Sequence, residues 1–326
     1  MNAPVTMPTT DLVWQHVTDS AQWDRELAAL GGHPLQSALW GDARRLADGI
    51  EDVRFLGTLA DGTRSMIRIE LRRIPFIGGV VGWAPRGPAG AALDSAQLCA
   101  LARLVEPTLH LIVTDPWQEW IGGTSGVETI WVDLTSGSES LWKSFDKRFR
   151  ASVRKAKREG VVVRESGAPE DQSEFFSLMR RIGEQKDFSL SISPSLISHL
   201  LGQPPADISA HLFLAEFKDR LAAAALIVKC SASLHYISGG TERALSKQQP
   251  GEALQWSVIE WAIGRGATRY DLEGIDRQKN PGTYAFKKKL GGREVILAGK
   301  SYHPVSRIGA VLAVLDGWRD RFSRGR

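Results

Sequence analysis

Twice along this chain the hydrophobic pattern runs through the same succession: a helix, three strands, a helix, a strand, a helix and a strand. In the N-terminal half, spacings of three and four predict a helix over 36–48, and alternation predicts strands over 53–60, 64–74 and 79–84. A helix over 94–105, a strand over 109–113, a short helix over 116–121 and a strand over 127–134 follow. The C-terminal half gives a helix over 170–186 and strands over 211–217, 220–230 and 233–239. A helix over 252–265, a strand over 268–273, a helix over 282–290 and a strand over 293–298 complete it. Hairpin-compatible strands first and alternating elements later suggest, in each half, a mixed sheet with helices on both faces, an order that periodicity shares with other α/β arrangements. Little residue identity links the halves, so the repeat lies in element order. A length of 326 residues suits two domains of about 150 residues each.

Between the halves lies a concentration of charge. Residues 143–158, KSFDKRFRASVRKAKR, carry a local charge of +7 in a chain whose total is +4, leaving the remainder at −3. Trp142, Phe145, Phe149, Val153 and Ala156 fall three and four apart and predict one helix with a single apolar stripe. Ser136 and Glu139 have capping-box spacing at its start, and Gly160 stands where a left-handed cap would end it. The basic residues lie off the stripe, facing water or a polyanion.

Several classes of chemistry find no support. The seven histidines show no metal-ligand spacing, and no phosphate-binding loop or dinucleotide fingerprint is present. Cys99 and Cys230 match neither a disulfide framework nor a metal site, and read as small buried hydrophobes of a reduced cytosolic protein. No run reaches the ~18 apolar residues of a membrane span, and the N-terminal segment lacks the pattern of a secretory signal. The expectation is a cytoplasmic protein, any membrane contact being peripheral and on the inner face. After Pro304, residues Ile308, Val311, Leu312, Leu315, Trp318 and Phe322 mark an apolar helix face, followed by Arg319, Arg321, Arg324 and Arg326. Such a stripe is expected to pack on its own domain; the alternative is an anionic membrane surface.

Motifs spread over most of the chain carry a resemblance. They are QSALW at 36–40, WAPRGP at 83–88, RKAKREGV at 154–161, YDLEGI at 270–275 and FKKKLGG at 286–292. In order and spacing the chain resembles the Fem family of peptidoglycan bridge-forming aminoacyltransferases. It departs from the family pattern at Glu273, where glycine is usual, and at Leu290, where phenylalanine is usual. The resemblance implies an α/β fold with mixed sheets, made of two tandem GNAT-like N-acyltransferase domains without a coiled-coil arm. The first would span 1–138, with 303–326 packing back on it, and the second 139–302. It implies transfer of an amino acid from aminoacyl-tRNA to an amine of UDP-MurNAc-pentapeptide or its lipid-linked form, with no metal or bound cofactor.

The same resemblance assigns roles. Lys287, beside the anchor Phe286, would stabilise the oxyanion formed when an amine attacks an aminoacyl ester. A fixed cation there is worth roughly 2–4 kcal/mol by analogy with oxyanion holes. Arg86 with Gly87, in a rigid loop, would grip a diphosphate, since the guanidinium fork binds phosphate oxygens in pairs; Arg44 would do likewise. Tyr236 and Tyr284 would line the stem-peptide groove. Lys147, Arg148, Arg150, Arg154, Lys155, Lys157 and Arg158 would form a tRNA platform. Asp271 and Glu273 are the carboxylates at hand as a base, although Asp271 reads first as a structural strand-end residue. The competing pattern is Gln248, Gly251 and Ala253, the spacing with which GNAT enzymes cradle the pyrophosphate of acyl-CoA, although Pro250 removes one amide donor from that loop. It would suit an acyltransferase acting on an amino sugar or polysaccharide precursor. A non-catalytic RNA-binding protein is a third reading.

Overall fold

A computed structural model describes residues 12–324 apart from 76–77, 121–125, 187–191 and 205, and side chains as far as 317. The N-terminal half holds β1 (Val13–His16), α1 (Ser20–Ala29), α2 (Ala38–Asp48), β2 (Glu51–Thr58), β3 (Arg64–Arg73), β4 (Val80–Arg86) and β5 (Ala89–Gly90). Next come α3 (Ser95–Val105), β6 (Leu109–Pro116), β7 (Glu128–Asp133), α4 (Gly137–Ser144) and α5 (Lys147–Glu159). The C-terminal half holds β8 (Val162–Ser166), α6 (Pro169–Lys186), α7 (Pro194–Leu201), β9 (Ile208–Phe217), β10 (Arg220–Cys230) and β11 (Ser233–Thr241). It closes with α8 (Pro250–Gly264), β12 (Arg269–Asp271), α9 (Pro281–Lys289), β13 (Arg293–Ile296), β14 (Ser301–Pro304) and α10 (Arg307–Arg324).

Among the described residues these strands form two seven-stranded sheets. One has the order β1-β2-β3-β4-β6-β14, with β5 on β3, and the other the order β13-β7-β12-β11-β10-β9-β8. Each has one parallel pair, β4 with β6 and β11 with β12, bridged by α3 and α8 respectively; the other pairs are antiparallel. The fold is thus two mixed-sheet lobes, as the element order suggested, in the tandem arrangement the resemblance implied. Sheet membership does not change at 138, because β7 precedes that point yet sits between β12 and β13 in the second sheet. In return β14 leaves the C-terminal half and pairs with β6 in the first sheet.

The lobes share a hydrophobic seam. Trp23 and Leu27 of α1 pack with Met66 of β3 on one side and with Ile208 and Val228 of the second sheet on the other. Trp40 and Ala43 of α2 join Leu196 and Leu200 of α7 and Leu212 and Leu226 of β9 and β10. This explains why the polar face of β3 is buried. Arg68, with none of its surface exposed, donates to the Leu35 carbonyl and pairs with Glu70 at 3.0 Å. Buried charges survive when paired and hydrogen-bonded in this way. In β10 the run Ala222–Ala225 is buried on both faces, the small side chains letting helices approach from either side.

The basic segment departs from expectation. It forms two helices, broken at Phe145 and Asp146, because Asp146 caps α5 by accepting from the Arg148 N–H at 2.6 Å. The Ser136–Glu139 capping box does not form: Ser136 caps nothing, and Glu139 pairs with Lys143. Gly160 does adopt the left-handed cap, φ 91°. The apolar stripe spans the break, with Phe145, Phe149, Val153 and Ala156 buried against Val258, Ile259 and Ala262 of α8. Burying Phe149 alone contributes roughly 2–3 kcal/mol. Residues 116–120 form no helix; β6 instead runs on to Pro116.

At the other end, α10 does not bury the expected stripe. Ile308, Val311 and Leu315 are exposed at 39%, 60% and 56%, Val314 beside them at 56%, while Trp318 and Phe322 lie outside the described side chains. The helix touches β6 and β14 edge-on, with Gly309 against the His110 carbonyl. A cavity of about 500 Å³ remains beneath it, lined by Arg72, Trp83, Lys300, Leu312 and Leu315. No described helix is long and apolar enough to cross a membrane, and the described helices run to 18 residues at most, so none forms a coiled-coil arm. Both cysteines are free, Cys230 buried and Cys99 half-buried.

Candidate active site

Strands β11 and β12 run together for only three residue pairs, Ser233–His235 with Arg269–Asp271. Beyond them β11 continues to Thr241, while the chain after Asp271 turns away through Glu273, whose φ is +58°. The V so opened holds a cavity of about 740 Å³ lined by, among others, Tyr236, Gly239, Thr241, Glu273, Phe286 and Lys287. A bulge in β11, which leaves Ile237 without a partner on β10, turns Tyr236 into this space.

Glu273 is where the two lobes meet. Its Oε1 lies 2.9 Å from His33 Nε2 of the first lobe and 2.9 Å from His235 Nδ1 of β11. His33 Nδ1 accepts the Leu35 N–H at 3.1 Å, so the single proton of the neutral ring sits on Nε2 and is donated to Glu273. Burial, with help from His235, pushes the His33 pKa down to about 3. Burial pushes Glu273 up, but the two imidazoles outweigh it and hold the carboxylate well below its usual range. These three residues have the reach of a metal-ligand set. With the His33 proton directed at the carboxylate, however, they form two N–H donors on one oxygen. Its other oxygen, Oε2, approaches Arg86 Nη2 at 3.9 Å. A non-glycine residue in the left-handed region costs on the order of 1–2 kcal/mol, a strain of the kind that collects at functional sites.

Asp271, two residues earlier, is fully occupied. It accepts from the indole N–H of Trp117 at 2.7 Å and of Trp131 at 2.9 Å, from the Thr129 hydroxyl, and from the Glu273 N–H at 2.7 Å. With all its lone pairs engaged and no exposed surface, it shapes the turn that presents Glu273.

Lys287 enters from α9. Only 5% exposed, it donates from Nζ to the carbonyls of Gly274 at 2.8 Å and Glu273 at 3.2 Å, and its ammonium lies 5.7 Å from the Tyr236 ring centroid. Burial pushes its pKa down to about 8, against the pull of Glu273 and Asp271. A half-desolvated cation held on two carbonyls at a cavity wall can stabilise an oxyanion with little reorganisation. Phe286, its neighbour in sequence, lines the same cavity and meets Gly251 at the start of α8. Lys288 and Lys289 point elsewhere, to Glu294 and Glu252.

The other sequence-predicted residues divide. Tyr236 lines the cavity, and burial pushes its hydroxyl pKa up. Tyr284 does not line it; its hydroxyl donates to Glu294 at 2.9 Å. Arg86 is no open loop arginine. With φ +58° it folds inward, its N–H on Asp115 at 2.8 Å and its buried Nη1 without a hydrogen-bond partner. Gly87 packs on the Gln36 amide, where a Cβ would fall 2.5 Å from Gln36 Cδ. Arg44 lies away from the cavity in an ion network with Asp48 and Glu70. On α5, Lys147, Arg148, Arg154, Lys157 and Arg158 are exposed; Arg150 is half-buried with Nε unpartnered, and Lys155 is tied to the Lys247 carbonyl at 2.6 Å. In the competing loop, Pro250 opens α8 and Glu252 is buried in its first turn; Thr241 and Phe286 crowd Gly251. His33, Trp117, Thr129 and Trp131 carry no local signal in the sequence; partners 140 to 240 residues away bring them in.

The comparisons agree with this architecture. A family model described as an acetyltransferase (GNAT) domain matches residues 143–288. No relative was found among curated protein sequences. Among solved structures the fold resembles FemX at a TM-score of 0.72 and 17% identity, covering 90% of this chain and 97% of that one. It resembles L-PGS from Bacillus licheniformis at 0.53 and 15%, over 89% and 93% of the two chains. A tandem GNAT protein from the clavulanic acid biosynthesis pathway matches at 0.52 and 11%, over 91% and 100%. The chain is an acyltransferase of tandem GNAT-like fold.

Proposed function

We propose that the protein transfers an amino acid from aminoacyl-tRNA to an amine of a peptidoglycan-precursor stem peptide, either UDP-MurNAc-pentapeptide or its lipid-linked form. The observation that carries this reading is the buried Lys287 ammonium, fixed on the Glu273 and Gly274 carbonyls at the wall of the cavity between β11 and β12. The Fem-like motifs and the likeness in fold to FemX support it. The amine attacks the ester carbonyl, a C–N bond forms, and Lys287 steadies the oxyanion. The ester C–O bond then breaks, and the tRNA hydroxyl leaves with the proton given up by the amine. The exposed cations of α5 supply the tRNA platform. The exposed face of α10, with Arg307 at its start, would rest on the anionic inner surface of the membrane.

An acyl-CoA donor is the second reading, favoured by the family match over 143–288. Against it stand the lost amide at Pro250, the buried carboxylate of Glu252 beside the missing donor, and the crowding over Gly251. Transfer of radiolabel from charged tRNA, measured against transfer from acyl-CoA, decides between them. Transfer from tRNA alone is expected; use of the thioester alone would overturn the donor assigned here.

A further inference from the structure

Resting on that reading, we propose that Glu273 anchors the α-ammonium of the incoming aminoacyl group, so that the site selects aminoacyl esters over plain acyl donors. The position is anomalous to begin with. A glycine suits φ +58° without cost, yet the chain places there a long anionic side chain and commits an imidazole from each lobe to orienting it. Both imidazole nitrogens fall on Oε1. Oε2 is left facing Arg86 at 3.9 Å, longer than a hydrogen bond, in a residue that lines the cavity. His33, His235 and Arg86 are not among the residues lining the cavity, so of this cluster only Glu273 faces it.

The charge pattern identifies the ligand class. Lys287 Nζ rests on the backbone carbonyl of Glu273 itself, so a fixed ammonium and a fixed carboxylate stand side by side. In an aminoacyl ester the α-ammonium and the carbonyl oxygen are three bonds apart and bear the complementary charges. With the ammonium on Glu273, the carbonyl oxygen is carried to Lys287. An acetyl or other uncharged acyl group would cover Oε2 without giving it a hydrogen-bond donor, which selects against it. The direction of approach fits as well. The far end of the cavity is lined by Arg243 and Ser246, in the turn whose Lys247 carbonyl holds Lys155 of the basic helix. A donor lying along α5 would thus reach Glu273 with its acyl end.

Ligand-observed saturation-transfer NMR tests this with L-alaninamide, small enough for any donor pocket of this class, against N-acetyl-L-alaninamide, which lacks the charge. Wild-type protein should prefer the free ammonium by about tenfold or more, the scale of a charge-assisted hydrogen bond. Glu273→Gln keeps the shape without the charge, and Glu273→Gly supplies the residue the backbone favours. Both should melt within a few degrees of wild type and lose the preference to within about threefold, the residue of a neutral hydrogen bond. An equal response to the two amides in wild type, no response to either, or a preference that survives in both variants would each overturn the anchor. A parallel arm with charged tRNA separates this from the reading beneath it. Transfer from tRNA without an ammonium preference removes the role of Glu273 alone. A preference without transfer from tRNA removes the donor alone.

Discussion

Replacing Lys287 by methionine tests the chemistry with little risk to the fold. The drop in pKa from 10.5 to about 8 means that burying the ammonium costs roughly 3 kcal/mol in the folded protein. Methionine removes that cost but leaves the Glu273 and Gly274 carbonyls without their donor, at about 1–3 kcal/mol each. The two effects nearly offset, so the melting temperature should move by only a few degrees. Turnover should not be spared. Loss of a fixed oxyanion donor of roughly 2–4 kcal/mol lowers the chemical rate by about 30- to 1,000-fold. The assay is single-turnover transfer of labelled amino acid from tRNA, followed across a pH range of about two units either side of neutral to alkaline. In wild type the rate should fall as pH rises through about 8, where Lys287 loses its proton. Unfolding is not the cause of that fall. A lysine with a depressed folded pKa adds stability between about 8 and 10.5, because there the unfolded chain binds the proton that the folded chain has released; stability in that window therefore falls with rising Lys287 protonation, at lower pH, and not with its loss. A methionine variant as fast as wild type, or one that keeps the alkaline fall, would refute the role given to Lys287.

Two further outcomes follow from the surfaces. Charge reversal at Arg154, Lys157 and Arg158, all exposed on α5, should weaken tRNA binding and reduce the slope of log affinity against log salt by about one for each phosphate left without its cation. Reversal at Lys155 should do less, because its ammonium is already committed to the Lys247 carbonyl; an unchanged slope in the triple variant would end the platform reading. Val311→Asp with Val314→Asp, both on the exposed side of α10, should abolish co-sedimentation with vesicles containing phosphatidylglycerol, and equal partitioning of variant and wild type would remove the membrane role.

The elements most legible in the sequence are those whose periodicity local packing enforces. Strands β2, β3, β9, β10 and β11 and helices α3, α6 and α8 lie within a few residues of where alternation and spacing put them. The α4–α5 break is hidden because the apolar stripe from Trp142 to Ala156 runs through it in phase; only the Asp146 cap marks it. Short pieces such as β1, β8, β14 and α7 carry too few residues for a period to show, and are held by neighbours distant in the chain. The site divides in the same way. Lys287 and Phe286 are readable as a motif, and Tyr236 as an aromatic on a strand. Arg86 reads as an open phosphate grip, but a positive φ turns it inward. Glu273 stands out as a departure, yet its meaning depends on His33, 240 residues away, which no local pattern could supply.

The reciprocal placement of β7 and β14 bears on how the molecule is made. As the polypeptide grows, β6 offers a bare backbone edge until residues 301–304 arrive to cover it, although most of its own sheet has long been available. The second sheet has the opposite history, since β7 waits from early in synthesis for β12 and β13 to flank it. The lobe begun first is therefore the last to be finished. An unpaired strand edge is a template for wrong partners, so the nascent chain passes through a prolonged stage at which chaperones would be most needed.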